Sequence, residues 1–274
     1  ISLGLVGSEM CIRDSYFGQQ GRREAQKLLE RNAQDGDRLL GAFNIPMPHW
    51  LDFFCYTMFV DRDGKFQLGM LSTSAFKPLA ASMGPMLKEE SFHLGTGSNG
   101  LRRIIKAGVI PLDMLQRYIN KWVSTAHDLF GVDASSSAHW AYVWGIKGRW
   151  DERKKLDAGV EVNKEVLNEE SRGHYHQEIV AEVRKLCGYL PEGAEELYVP
   201  HENFNRAIGA TKGQHFNVDG TPFEGSEEDY AAYLAEVLPT DQDELDLQEL
   251  FKQEWIANKP MSTRQIESGI GASA

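Results

Sequence analysis

The sequence predicts an all-α protein. A helical bundle is expected over residues 16–156, a less regular region packed on it over 157–260, and a disordered tail over 261–274. Three observations predict this. Apolar residues recur at helical spacing through the first 150 positions, with no strand-like runs alternating between them. The segment from Trp50 to Val60 is apolar nearly all round, as a helix in the middle of a bundle must be. Beyond Asp157 the text turns to charged segments punctuated by Pro191, Pro200, Pro222 and glycine-rich turns.

Taken in chain order, Ser8–Ser15 reads like one frame through a transposon end used to tag sequencing libraries. Ile1–Gly7 lacks the basic start of a signal peptide. Residues 1–15 are therefore set aside, and more of the protein is expected upstream of Tyr16. Gly21–Arg31 is a charged surface helix with a stripe of Ala25, Leu28 and Leu29. Pro46 and Pro48 open the buried segment of Trp50, Leu51, Phe53, Phe54, Tyr56, Phe59 and Val60. Asp61, Arg62 and Asp63 interrupt its apolar pattern, and Phe66, Leu68, Met70 and Leu71 resume it.

Thr73 or Ser74 is expected to cap the next helix, with Pro78 in its first turn. Pro85 removes the N–H that would pair with the Ala81 carbonyl, which predicts a kink near Glu90. Two further helices are expected over about Leu112–Phe130 and Ser136–Leu156, and a hairpin around Val218-Asp-Gly-Thr221.

Composition bounds the function. With 29 Lys+Arg against 40 Asp+Glu the formal net charge is −11, which argues against nucleic acid as main partner. No apolar run approaches the roughly 18 residues of a membrane span. Three cysteines make a disulfide framework improbable and point to a reducing, cytoplasmic setting.

Among motifs, Gly95-Thr-Gly97-Ser-Asn-Gly100 has the spacing of a dinucleotide fingerprint. That motif works only after a β-strand, and Lys88–Leu94 reads as helix, so a loop or weak helical turn is expected. Asp61-Arg-Asp63-Gly64 fails as a calcium loop, because its first and twelfth ligand positions fall on Phe59 and Met70. His174 and His176 read as surface histidines. Glu90-Ser-Phe-His93 is sharper. A Glu and a His three apart share one helical face and offer an oxygen and a nitrogen to one metal. Their neighbours Met86, Leu87, Phe92 and Leu94 imply burial, and a buried carboxylate needs a partner. Asp61 and Asp63 add acids to the preceding buried segment. If the two helices are antiparallel, with the turn at Thr73–Lys77, these acids come back to the height of Glu90.

These residues carry a resemblance. The run His49–Leu68, with its Asp-Arg-Asp-Gly-Lys-Phe-Gln-Leu core, together with Ser74–Leu79 and Met86–His93, resembles the oxygenase components of benzoyl-CoA 2,3-epoxidases. The likeness extends through Gly21–Arg31, Ala107–Ile110, Leu129–Gly131, Gly145–Trp150 and Pro200–Gly209, and so over most of residues 16–260. It implies a ferritin-like bundle with a di-iron site that epoxidises the aromatic ring of benzoyl-CoA with O₂. The electrons would come from a separate NADPH-dependent flavin (FAD)/iron–sulfur reductase.

Matched position by position, the resemblance places iron ligands at Asp61 rather than Asp63, at Glu90 rather than Glu89, and at His93. The other three ligands of the six are expected upstream of Tyr16, so this chain alone is expected to be inactive. Phe92 stands where such proteins usually have His, and the stretch from Ile105 to Ala107 is shortened. Both weaken the assignment to benzoyl-CoA specifically, and a phenylacetyl-CoA-type epoxidase is the near alternative. The CoA phosphates call for a local basic patch, for which Lys147 and Arg149 are the candidates, ahead of Arg153, Lys154 and Lys155. The competing readings are a non-catalytic ferritin-like partner subunit, in which ligands decay, and a nicotinamide enzyme built on Gly95–Gly100.

Overall fold

The computed structural model describes residues 45–152 and 165–251, with isolated positions 18, 20, 23, 26, 27, 30, 42 and 163. The set-aside segment 1–15, most of the expected helix over Gly21–Arg31, the basic residues 153–155 and the tail after 260 lie outside the described residues. Within the two long stretches the helices are α1 (Trp50–Leu71), α2 (Lys77–Ala107), α3 (Leu112–Leu129), α4 (Ser136–Val143), α5 (Leu167–Cys187), α6 (Glu227–Val237) and α7 (Asp241–Phe251). Among the described residues there is no sheet, and no helix is long and apolar enough to cross a membrane.

The all-round apolar pattern of α1 has the consequence its composition dictates. Leu51, Cys55, Met58, Phe59, Val60, Phe66 and Met70 are all buried, because the helix is covered by α2 on one side and α3 on another, with α5 across it. Burying side chains of this size contributes roughly 1.5–3 kcal/mol each. His49 caps the start of α1, its ring accepting from the Asp52 N–H.

Helix α2 returns antiparallel to α1. Gly100 lies on the Phe54 ring, Gly97 on Thr57 and Met58, and Gly64 beside Glu90, so numbers fall on one helix as they rise on the other. A Cβ on Gly97 would stand 2.5 Å from the Met58 nitrogen. The glycines of the expected loop are therefore helix interior, and their task is close approach of two backbones.

The turn at residues 72–76 falls where the antiparallel arrangement requires it. The cap of α2 is Phe76 rather than Thr73 or Ser74, and it receives no side-chain hydrogen bond. Ser74 acts one step earlier, its Oγ accepting from the Phe76 N–H at 3.2 Å. Helix α2 runs on through Pro85 as a single element and ends at Gly108, whose left-handed φ of 62° only glycine adopts readily.

The remaining expectations divide. Helix α3 matches its predicted span and buries Leu115, Tyr118, Ile119, Trp122 and Val123. Helix α4 stops at Val143, well short of Leu156. Gly145, at φ 62°, turns the chain there, and the Ile146 and Lys147 N–H groups fold back on the Ala141 carbonyl. The run Gly145–Trp150 then laces onto the end of α1: Ala75 N–H donates to the Gly145 carbonyl and Gly148 N–H to that of Met70.

Beyond Asp157 the irregular text contains the 21-residue α5. Its buried stripe of Tyr175, Ile179, Val183 and Leu186 is spaced as a helix requires, but charged neighbours on every other face dilute it. Within this unit, residues 1–238, Phe216 bridges Pro222 around Gly220 in a short antiparallel turn, where the hairpin was expected. The described residues from 239 to 251 belong to a second unit, in which α7 begins under a reciprocal cap between Thr240 and Asp243.

Candidate metal centre

Helices α1 and α2 bring Asp61, Glu90 and His93 together. Each offers one donor atom, and all three atoms lie within 4.8 Å of one another. His93 Nδ1 is 3.8 Å from Asp61 Oδ2 and 3.7 Å from Glu90 Oε2. Those separations are too long for hydrogen bonds. They do suit His93 sharing one ion with either acid: with bonds of about 2.0–2.2 Å, two ligands of the same ion stand no more than about 4.4 Å apart. Asp61 and Glu90 are almost fully buried, and the His93 side chain is 22% exposed.

The same three atoms, Asp61 Oδ2, Glu90 Oε2 and His93 Nδ1, are buried without a hydrogen-bond partner. Orphaned buried polar atoms cost about 1–3 kcal/mol each, more when charged. Three of them converging on one point therefore fit a bound cation. The electrostatics agree. Burial pushes the Asp61 carboxyl up to about 7. Burial, then the charges of Asp61, Asp63 and Glu89, push Glu90 up to about 8. Without a cation burial resists the ionisation of both acids, and the Asp61 charge adds to that resistance at Glu90; a divalent ion reverses the preference.

The neighbouring acids are placed differently. Asp63 is buried too, and burial raises its carboxyl to about 8, but it turns away to accept from Gln67 Nε2 at 3.2 Å. Glu89 lies on the exposed side of α2. Phe92, beside His93, is 75% exposed.

Lys147 and Arg149 are engaged within the fold. Lys147 Nζ donates to Asn168 Oδ1 at 2.6 Å and to Gln67 Oε1 at 3.2 Å, and burial lowers its pKa. Arg149 Nε lies 2.6 Å from Asp151 Oδ1. The lacing of Gly145–Trp150 onto α1 holds both against partners of the fold. His174 is exposed as expected. His176 is half-buried and pairs instead with the buried His127, Nδ1 to Nε2 at 3.2 Å.

Two contributors escaped the sequence reading. Gly64 faces Glu90, and a Cβ there would come within 3.1 Å of Glu90 Oε1, so the glycine makes room for that carboxylate. A lone glycine inside a helical pattern was the available signal. Tyr56 lies close enough to Asp61, Glu90 and Asp63 that, after burial, their charges raise its phenol. Nothing in its spacing marked it apart from the other aromatics of α1.

Comparison with known proteins places the chain in a family. The benzoyl-CoA oxygenase component B of Aromatoleum evansii is 35% identical over 275 residues, an alignment covering 84% of this chain. The chain spans 58% of that relative's length. The family model described as phenylacetic acid catabolic protein matches residues 15–203, which takes in α1 to α5 and all three converging side chains. The chain belongs to the phenylacetic acid catabolic protein family.

Proposed function

We propose that this chain is the metal-ligating part of the oxygenase component of an aryl-CoA epoxidase. In this reading it acts on benzoyl-CoA or a close aryl-CoA with O₂, and takes electrons from an NADPH-dependent flavin/iron–sulfur reductase. The observation that carries the reading is the convergence of three orphaned donors, Asp61 Oδ2, Glu90 Oε2 and His93 Nδ1, on one point between α1 and α2. The name of the relative, a benzoyl-CoA oxygenase component B, supports the substrate class and the existence of partner components.

Iron is the metal this reading assigns, because two carboxylates and an imidazole are donors that serve both of its common oxidation states. Bound there, iron supplies the O₂ chemistry that side chains lack. The chain's own residues do the rest. Asp61 and Glu90 provide the negative charge that offsets the metal, and His93 provides a neutral nitrogen. Gly64 leaves space for the Glu90 carboxylate, and Gly97 and Gly100 let the backbones of α1 and α2 approach closely beside the site. A second iron requires further acids and a second histidine, which the reading assigns to the length of the relative that this chain does not span.

The test is turnover of the complete reading frame, loaded with Fe(II) and supplied with reductase and NADPH, on benzoyl-CoA and phenylacetyl-CoA. Oxygenated product and two irons per chain are expected, and the better substrate fixes the acyl group. A fully loaded protein inert on both would discard the reading.

A further inference from the structure

We infer that Tyr175 and Glu178 of α5 are positioning residues for the Asp61 ligand, gripping the turn of α1 that carries it; this rests on the metal reading above. Helix α5 supplies none of the three converging donors, yet two of its side chains, one turn apart on one face, close on that turn of α1. The Tyr175 hydroxyl is buried and donates to the Phe59 carbonyl at 3.1 Å. In a helix that carbonyl already accepts from the Asp63 N–H. The phenol therefore takes its second lone pair, two residues before Asp61.

Glu178 acts on the other side of Asp61. Its carboxylate accepts from Arg62 Nη1 at 2.5 Å and from Lys65 Nζ at 2.7–2.8 Å. Arg62 also donates from Nε to the Met58 carbonyl at 3.2 Å, tying the guanidinium to the same turn. The carbonyls of Met58 and Phe59 and the side chains of Arg62 and Lys65 thus bracket Asp61 from both ends. Arg62 is only 5% exposed, and a buried guanidinium is tolerated only where it is paired and hydrogen-bonded. Successive helical residues are about 100° apart. With Arg62 held by α5, Asp61 is presented to α2 from the next position round. Groups that fix a ligand's orientation in this way commonly change metal affinity about 10–100-fold when removed.

The test is Co(II) titration of the chain, reading both affinity and the positions of the ligand-field bands. Tyr175→Phe and Glu178→Gln are each expected to weaken binding about 10–100-fold and to shift the bands, and Glu178→Asp to recover most of the affinity. Asp128→Asn is the stability control. It breaks the Arg206 pair on α3, so it lowers the unfolding midpoint while leaving Co(II) affinity and bands unchanged. Tyr175→Phe keeps the ring contacts with Phe66, Phe130 and His127, and it decides the matter alone if Glu178→Gln fails to fold. Wild-type affinity and bands in Tyr175→Phe and Glu178→Gln would overturn the inference, as would an equal loss in Asp128→Asn. A wild-type chain that binds no Co(II), or binding that survives His93→Ala, would overturn the metal reading and the clamp together. Binding that His93→Ala abolishes and Tyr175→Phe spares would remove the clamp alone.

Discussion

Of the three aspartates that helix α1 buries, two meet opposite fates. Asp52 is fully partnered: Lys121 Nζ lies at 2.7 Å, Trp122 Nε1 donates at 2.9 Å, and His49 Nε2 stands 3.2 Å away. Asp61, nine positions on and equally buried, faces another acid and a histidine, and keeps an oxygen that nothing satisfies. The first ties α1 to α3 and serves the fold. The second costs the fold free energy and is explained by what it can bind. Burial alone does not mark a functional carboxylate; burial with an unclaimed lone pair aimed at other donors does.

The contrast can be broken most forcefully at the site. Glu90→Ala or His93→Ala should lower metal affinity about 100-fold or more and abolish metal-dependent turnover. Circular dichroism should stay helical. Wild-type metal content and rate in both variants would end the assignment.

The same substitution at the two aspartates should then act with opposite sign. Asp52→Asn removes the charge that pairs with Lys121 and should destabilise the metal-free chain by about 2–3 kcal/mol in urea unfolding. Asp61→Asn relieves an unsatisfied buried acid and should stabilise the metal-free chain by about 1 kcal/mol, while abolishing the stabilisation that added metal gives the wild type. Equal signs would erase the distinction.

Two glycines sharpen it further. Gly97→Ala drives a Cβ against the α1 backbone, which cannot yield, and should cost about 1–3 kcal/mol whether or not metal is present. Gly64→Ala meets the Glu90 carboxylate first, the end of a flexible side chain. It should change metal-free stability by less than about 1 kcal/mol and lower metal affinity about 10-fold. Calorimetry with and without Co(II) separates the two.

How far the text could be read depended on whether each signal was local. The all-round apolar pattern of α1, the span of α3 and the Glu-x-x-His pair on one face of α2 were legible, because each follows from helical periodicity. The resemblance selected Asp61 over Asp63 and Glu90 over Glu89, a choice periodicity left open. Less was readable where a long-range contact decides the outcome. Helix α4 ends at Val143, just before the turn at Gly145, because the next segment is laced to the end of α1. Lys147 and Arg149 looked like surface cations only until that lacing turned them toward Asn168 and Asp151. Helix α5 was hidden because its apolar stripe is thin and its polar residues Tyr175 and Glu178 act on another helix.

By itself, then, the sequence determined that this is a helical protein, that α1 is central to it, and that a Glu and a His share a face capable of holding metal. These are properties of a chain's period and side-chain chemistry. Tertiary structure alone decided which buried acid is satisfied and which is left open. It also decided that Gly64, Gly97 and Gly100 are points of close approach, and that α5, which supplies none of the three converging donors, reaches the turn that carries Asp61. Hydrogen-bond satisfaction is a property of pairs, and the partners here lie tens to more than a hundred residues apart in the chain.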